Sequence, residues 1–295
     1  MTYATTTSEF DAFGPWIDIV TTYSEIPRLY TLHPIDFASA RLVLKVPRNI
    51  ARRDANPTMD LYDHLLIAGP TTLTVLSRQG TTYTESNLEY SDIAAVSESV
   101  NVLDGVLSLW STSGVSVHIP FNGSGATAIT RLVTEIRAQS RPVDDSATVS
   151  PQGHLADLSA LGPADVMLSG RYRALERAEP RLRLLAAEGR HLVLARSGLD
   201  RLLRRTHVLS ELLIGSTSTE LHVLARHEGL NAGRKPDLSH RHTVVRLADV
   251  TAVASAPHPH FEGVSTVAIA LGPEAALELD VFAGSACERA LVALG

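Results

Sequence analysis

The first half of the chain carries short apolar stretches separated by glycine-containing turns, a pattern typical of antiparallel strands. Val, Ile, Leu, Thr and Tyr dominate these stretches, and Gly69-Pro70 and Ser113-Gly114 supply the backbone freedom that tight hairpins need. The predicted strands are residues 64–68, 71–78, 81–84, 88–97, 106–112 and 115–121. Apolar residues then recur at helical spacing over 128–136, with Ser124 as a cap, so one helix follows the strands.

The second half repeats this plan. Its predicted strands are residues 222–226, 244–247, 250–254, 264–271 and 276–282. A short helix begins at Ser285. The sequence therefore predicts a β-rich α+β fold of two tandem units. Each unit is expected to be a curved antiparallel sheet or partly open barrel, closed by a C-terminal helix and preceded by a partly helical leading segment.

Short sequence matches recur in the same order in both halves, at offsets that run from 147 to 161 residues. The matched segments are 27–29 with 180–182, 42–44 with 192–194, 52–53 with 204–205, 66–67 with 213–214, 73–78 with 221–226, 92–96 with 249–253, 104–106 with 262–264, and 121–124 with 282–285. The offset changes most across 228–237, a polar Gly/Pro segment typical of a loop insertion. We therefore predict a first copy at 1–140, a linker at 141–153 and a second copy at 154–295.

This order of elements resembles that of bacterial pleckstrin-homology-like (PH-like) domains. The first copy carries the resemblance in Tyr90-Ser91-Asp92-Ile93-Ala94-Ala95-Val96 and in a strand that ends Ile119-Pro120-Phe121 before the helix. Leu247-Ala248-Asp249-Val250 and Leu279-Asp280-Val281-Phe282 match in the second copy. The resemblance covers roughly half of the chain. It implies a binding or scaffolding module, at a membrane or on a partner protein, with no catalytic residues.

Composition excludes several classes of protein. The chain has 295 residues, of which 44% are apolar, and a formal net charge of −6, which together indicate a globular protein with an ample core. Cys287 is the only cysteine, so a disulfide scaffold is excluded. No apolar run is long enough to cross a bilayer, and the first residues lack the features of a secretory signal. We expect a cytoplasmic protein, with peripheral attachment to a membrane left open.

Arginines concentrate in the leading segment of each copy. Residues 26–53 carry a net charge of +5 and residues 171–205 a net charge of +6. Arginine forms bidentate contacts with phosphate and carboxylate groups, so these segments are candidates for an anion- or partner-binding surface. The candidate residues are Arg28, Arg48, Arg52, Arg53, Arg181, Arg204 and Arg205. The alternative is that these arginines only balance the acidic residues of the sheets or solvate a helix.

Histidines concentrate in the second copy, where two pairs share one spacing: His240-x-His242 and His258-x-His260. Two residues apart on a strand, both imidazoles of a pair lie on one face and are able to bind a transition metal. The alternative is that they are solvated loop histidines, because Pro257 and Pro259 flank one pair and the polar insertion precedes the other.

The sequence thus favours a non-enzymatic binding or scaffold protein that holds a protein partner or an anionic membrane surface. Motifs for a serine nucleophile, a phosphate loop or paired-cysteine zinc binding are absent from the sequence, and no cofactor is predicted. Nucleic acid is a disfavoured partner because the net charge is negative and few aromatic residues accompany the arginines. The alternative is a metal-dependent enzyme or metal-binding protein that uses the histidine pairs. The oligomeric state stays open.

Overall fold

The computed structural model describes residues 9–140, 157–161, 165–198, 202–203, 205–231 and 238–295. The first half contains α1 (Glu9–Ala12), β1 (Asp18–Ile19), β2 (Leu42–Pro47), β3 (Tyr62–Ala68), β4 (Thr72–Gln79), β5 (Thr82–Glu89), β6 (Ile93–Asn101), β7 (Asp104–Ser111), β8 (Ser116–Asn122) and α2 (Ala126–Ser140). The predicted linker at 141–153 lies outside the described residues.

The described part of the second half contains α3 (Val166–Ala178), β9 (Arg183–Glu188), β10 (His191–Leu194), β11 (Thr206–Leu209), β12 (Leu212–Ser216), β13 (Glu220–Ala225), β14 (Leu230–Asn231), β15 (His240–Arg246), β16 (Ala252–Pro257), β17 (Val264–Ala270), β18 (Ala276–Phe282) and α4 (Ala286–Val292). Short 3-10 helices occur at Tyr23–Glu25, Arg28–Tyr30, Arg52–Asp54, Tyr90–Asp92, Gly123–Gly125, Leu158–Leu161 and Leu247–Asp249.

The β-rich α+β class and the antiparallel sheets are confirmed. The strand orders are β1-β2-β3-β4-β5, β8-β7-β6-β15-β13-β12-β9, β10-β11-β14 and β16-β17-β18. None of the sheets formed by the described residues closes into a barrel. The series β3-β4-β5, 3-10 helix, β6-β7-β8, α2 matches the series β12-β13-β15, 3-10 helix, β16-β17-β18, α4. Among the described residues, two elements have no counterpart: β14 in the second series and the 3-10 helix Gly123–Gly125 in the first.

The chain forms two compact units whose boundaries differ from those of the two halves. Unit 1 comprises Met1–Ile93, Val102–Leu107 and His118–Arg141. Unit 2 comprises Ala94–Asn101, Ser108–Val117 and Pro142–Gly295. Most of β6 and the hairpin tip between β7 and β8 therefore belong to the unit that contains the second half of the chain.

Unit 1 is held together by a core under its five-stranded sheet. Fully buried aromatic and aliphatic side chains, among them Tyr30, Tyr62 and Leu65, form its centre. The Tyr30 hydroxyl donates a hydrogen bond to the carbonyl of Asp63 at 2.9 Å, which satisfies the one polar atom this ring brings into the core. Phe13, from the segment between α1 and β1, joins the same core. Trp16, by contrast, is half exposed.

In unit 2, strands β12 and β13 are buried on both faces. On one face, Leu221 and Val223 of β13 pack with residues of β17, β18 and α4. On the other face, Leu224 packs with Leu168 and Tyr172 of α3. Because side chains of a strand alternate between the two faces, Glu220 and His222 lie with Leu224 on the α3 face. These two polar residues are therefore positioned beneath a helix.

The strand predicted at 88–97 is interrupted. A 3-10 helix at Tyr90–Asp92 separates β5 from β6 and directs the chain from one sheet to the next. Tyr90 causes the break: its ring is buried, its backbone N–H donates to the carbonyl of Thr71 at 2.9 Å, and its hydroxyl donates to the carbonyl of Gly69. These contacts fix the turn, so the segment predicted as one strand is divided between β5 and β6.

Val102 has a backbone conformation that is unfavourable for a β-branched residue. It stands in the two-residue turn between β6 and β7 with φ of 56°, the only positive φ among described non-glycine residues. A β-branched residue is strained in the left-handed region, and glycine relieves that strain.

We expect Val102→Gly to raise the free energy of unfolding by about 1 kcal/mol, measured by urea denaturation. Leu103→Gly, at the neighbouring exposed turn position, is the control; an equal gain there would contradict the explanation.

Candidate functional site

Two of the candidate arginines, Arg28 and Arg48, make contacts within unit 1. Arg28 Nε donates to the Asp60 carboxylate at 2.7 Å, and Arg28 Nη1 donates to the carbonyl of Pro57 at 2.9 Å. Arg48 Nη1 donates to the backbone carbonyl of Asp60 at 3.2 Å, and its Nε lies 3.9 Å from the Asp63 carboxylate. Both guanidinium groups thus fasten the loop before β3.

Arg52 fastens the N-terminal segment of unit 1. Its Nη1 donates hydrogen bonds to the carbonyls of Phe10 and, at 2.6 Å, Phe13. The guanidinium group also lies 4.3 Å from the centre of the Phe10 ring, in cation–π geometry. Arg53 differs, since 88% of its side chain is exposed and its Nε lies 3.8 Å from Asp54.

The candidate arginines of the second copy belong to unit 2. Arg181, in the turn between α3 and β9, and Arg205, just before β11, are exposed. Arg204 lies outside the described residues. The candidates of the two copies therefore belong to separate units.

The pair His258 and His260 belongs to a turn after β16. His258 Nδ1 accepts hydrogen bonds from the backbone N–H groups of His260 at 3.0 Å and Phe261 at 3.2 Å. Its Nε2 is 4.0 Å from the Asp280 carboxylate. One ring nitrogen is therefore occupied in fixing the turn, a structural role that needs no metal.

The pair His240 and His242 lies on the α3 face of β15, as the spacing predicts, but the two rings have different neighbours. Burial, with the charges of Arg171 and Arg226, lowers the pKa of His240 to about 4. His242 Nε2 instead lies 3.1 Å from Nδ1 of His222. Within the described residues, none of the four predicted histidines belongs to a group of three potential metal-ligand atoms lying within 4.8 Å of one another.

The pairing of β6 with β15 in unit 2 joins strands from the two halves of the sequence. Six residue pairs align from Val100 opposite His240 to Ala95 opposite Val245. The Ser97 and Thr243 side-chain oxygens are 2.8 Å apart in this pairing and both residues are buried. A buried cross-strand side-chain contact thus accompanies the backbone pairing of β6 with β15.

The internal repeat assigns a counterpart to each of these strands. The match of residues 92–96 with 249–253 corresponds to an offset of 157 residues, which aligns β6 with β16 and β5 with β15. Cross-strand register supports the second alignment, because Leu73 lies opposite Leu88 and its match Leu221 lies opposite Val245. These edges were not predicted, because the matched segments alone do not show which strands end a sheet.

Both counterparts are edge strands. β5 ends the five-stranded sheet of unit 1, and β16 ends the three-stranded sheet of unit 2, among the strands that the structure describes. All residues of β16 except Val253 are exposed, and in β5 only Leu88 is buried. An edge strand presents unpaired backbone N–H and C=O groups, which bind other extended chains.

The contrast between two neighbouring arginines is open to experiment. Replacing Arg52 with Ala removes two hydrogen bonds to carbonyls and a cation–π contact, so we expect a loss of about 1 kcal/mol in stability. Limited proteolysis near Phe10 should become faster in the same variant. Arg53→Ala is the control and should leave both measurements unchanged, because Arg53 is exposed. Equal effects of the two substitutions would contradict the assignment.

Comparison with known proteins adds no relative: no family model, no curated protein and no solved structure matches this chain. In the part of the chain that the structure describes, no helix is both long enough and apolar enough to span a membrane. The PH-like resemblance therefore stays a prediction.

Proposed function

We propose that this chain is a non-enzymatic scaffold protein, built from two PH-like copies, that assembles with further copies of itself by strand pairing. In this proposal β16 of one chain adds to β5 of the next chain. One observation carries the proposal: β6 and β15, the counterparts of β16 and β5, pair with each other through six residue pairs. The repeat places equivalent backbone edges on β5 and β16, each at the end of its sheet.

The internal pairing predicts the register between chains. Shifting Ser97 and Thr243 by the offset of 157 places Ala254 of one chain opposite Ser86 of the next. Leu88 then lies opposite Ala252, and Glu85 lies opposite Ser255. No like charges meet in this register, and the small side chains of β16 permit close approach of the backbones.

Two residues limit the contact. Pro257 ends β16 and has no N–H to donate, so the pairing covers residues 252–256. The backbone of Gly295 approaches the backbone nitrogen of Val253, and a full-length pairing displaces this terminal residue. The contact is therefore short, and we expect association that depends strongly on protein concentration.

A protein partner is favoured over an anionic membrane by the state of the arginines. Arg28 and Arg52 donate hydrogen bonds to groups of unit 1, so phosphate binding would cost those contacts. The sheet edges, in contrast, offer backbone groups at an exposed surface. The proposal includes a cytoplasmic location and leaves peripheral attachment to a membrane open.

The two edges differ from each other, so the interface is heterologous: β5 binds β16 and not a second β5. This property gives a decisive test. Ala254→Lys and Ser86→Lys each place a charge on one edge, and each variant should be monomeric in sedimentation velocity at concentrations where the unmodified chain associates. A mixture of the two variants should form a 1:1 dimer, because each retains the edge that the other has lost.

The control is Thr127→Lys, an exposed position on α2 away from both edges, which should associate like the unmodified chain. Three results would each sink the proposal: an unmodified chain that stays monomeric at hundreds of micromolar, edge variants that still associate, or two variants that fail to complement each other. Vesicle flotation supplies the membrane arm, in which binding to anionic liposomes by the monomeric variants would favour the membrane surface instead.

A further inference from the structure

A second site lies in unit 2 and involves none of the residues at the sheet edges. Its centre is His222 on β13, whose side chain is fully buried. Nε2 of this ring has no hydrogen-bond partner in the structure. A buried polar atom without a hydrogen-bond partner lowers stability by about 1–3 kcal/mol. Such an atom in a native structure indicates a function or a bound group.

Two carboxylates face this nitrogen. Glu220 Oε2 is 3.7 Å and Glu179 Oε2 is 3.8 Å from His222 Nε2, and one ligand atom from each of the three residues lies within 4.8 Å of the others. These separations are too long for hydrogen bonds. They are close to the spacing of about 3.4 Å between tetrahedral ligands that each stand about 2.1 Å from a zinc ion.

We propose that Glu179, Glu220 and His222 bind a divalent transition-metal ion, with Zn²⁺ as the preferred ion. One imidazole nitrogen and two carboxylate oxygens suit zinc and its first-row neighbours, whereas Mg²⁺ and Ca²⁺ prefer sites made of oxygen alone. Three protein ligands leave the fourth tetrahedral position for water. The two carboxylates neutralise the charge of the ion.

Burial explains why an ion stabilises this arrangement. Only 6% of the Glu220 side chain and 16% of the Glu179 side chain are exposed. Two carboxylates that converge away from water repel each other and lose hydration, and a divalent cation between them offsets both effects. The partly open Glu179, which follows the last residue of α3, is the side from which an ion enters.

His242 orients the ligand. Its Nε2 lies 3.1 Å from Nδ1 of His222, and the two rings stack with their centroids 5.4 Å apart. A metal-binding imidazole commonly donates its second N–H to a neighbouring acceptor, which fixes the tautomer and aims the other nitrogen at the metal. With a metal ion on Nε2, His222 would carry its proton on Nδ1 and donate it to Nε2 of His242. His242 is thus a positioning residue and not a ligand.

The site belongs to the second copy alone. Thr72 and Thr74 occupy the positions of the first copy that correspond to Glu220 and His222. The first copy therefore keeps the strand without the ligands. The feature that distinguishes β13 in the sequence is Glu220-x-His222, two ionisable residues on one face of an otherwise apolar strand.

The test measures zinc binding by the full chain. It uses calorimetric titration with Zn²⁺ and metal analysis after dialysis. The unmodified chain should bind one equivalent. Glu179→Gln and Glu220→Gln keep the side-chain volume but remove a charged ligand, so each should weaken zinc binding by about 100-fold or more. His242→Ala should weaken it by about 10–100-fold without changing the stoichiometry, as expected for a positioning residue.

His258→Gln is the matched control, because His258 is a histidine of the same unit placed in a turn, and it should bind zinc like the unmodified chain. Circular dichroism and thermal unfolding without metal check that the glutamine variants fold, and zinc should raise the unfolding temperature of the unmodified chain but not of Glu179→Gln. Absence of zinc binding by the unmodified chain, unaltered binding by both glutamine variants, or loss of binding in His258→Gln would each overturn the site. The monomeric Ala254→Lys variant should retain zinc binding, which separates this test from that of assembly.

Discussion

The pairing of β6 with β15 is the interaction on which the rest of unit 2 depends. It adds strands from the first half of the chain to a sheet from the second half, and it buries Ser97 and Thr243 with their side-chain oxygens 2.8 Å apart. Without it, both strands would expose backbone groups to water or to other chains. The unit boundaries follow this pairing, since residues 94–101 cluster with the second half. Within one chain β6 pairs with β15, whereas their counterparts in the repeat, β16 and β5, each end a sheet.

A layer of ionisable residues beneath α3 is the second constraint. Burying charges is costly, and the structure meets that cost unequally. Arg226 reaches Asp165 at 3.2 Å, Glu211 at 3.4 Å and the carbonyl of Ser239 at 3.1 Å, so its charge is well matched. At His222, Nε2 has no hydrogen-bond partner, and carboxylate oxygens of Glu220 and Glu179 lie 3.7 and 3.8 Å from it. This contrast is the reason for proposing a metal ion at His222 and not at Arg226.

Much of the strand content follows from the sequence, because glycine-containing turns separate the apolar stretches and β4 and β7 form close to their predicted positions. Strands β10 and β11 were not predicted, because both are short and the residues between them show no clear alternation of apolar and polar residues. The break at Tyr90 depends on hydrogen bonds to Gly69 and Thr71, about twenty residues away in the chain. Local periodicity carries no information on such contacts.

The candidate sites were less predictable than the fold, because sequence position does not reveal what a side chain contacts. Arg52 and Arg53 are adjacent, yet one holds the N-terminal segment and the other is exposed. His242 was singled out for its spacing from His240, but its neighbour is His222, which is twenty residues away and shares no motif with it. The pairing of β13 with β15 brings the two histidines together.

The most direct measurement of the central claim is disulfide formation between two separately purified variants, Ser86→Cys and Ala254→Cys. Their counterparts Thr243 and Ser97 hold side-chain oxygens 2.8 Å apart, so cysteines in the equivalent pairing are within reach of a disulfide. Cys287 is fully buried and does not compete. A cross-linked dimer is expected in the mixture and none from either variant alone. Equal cross-linking within each variant, or none in the mixture, would contradict it.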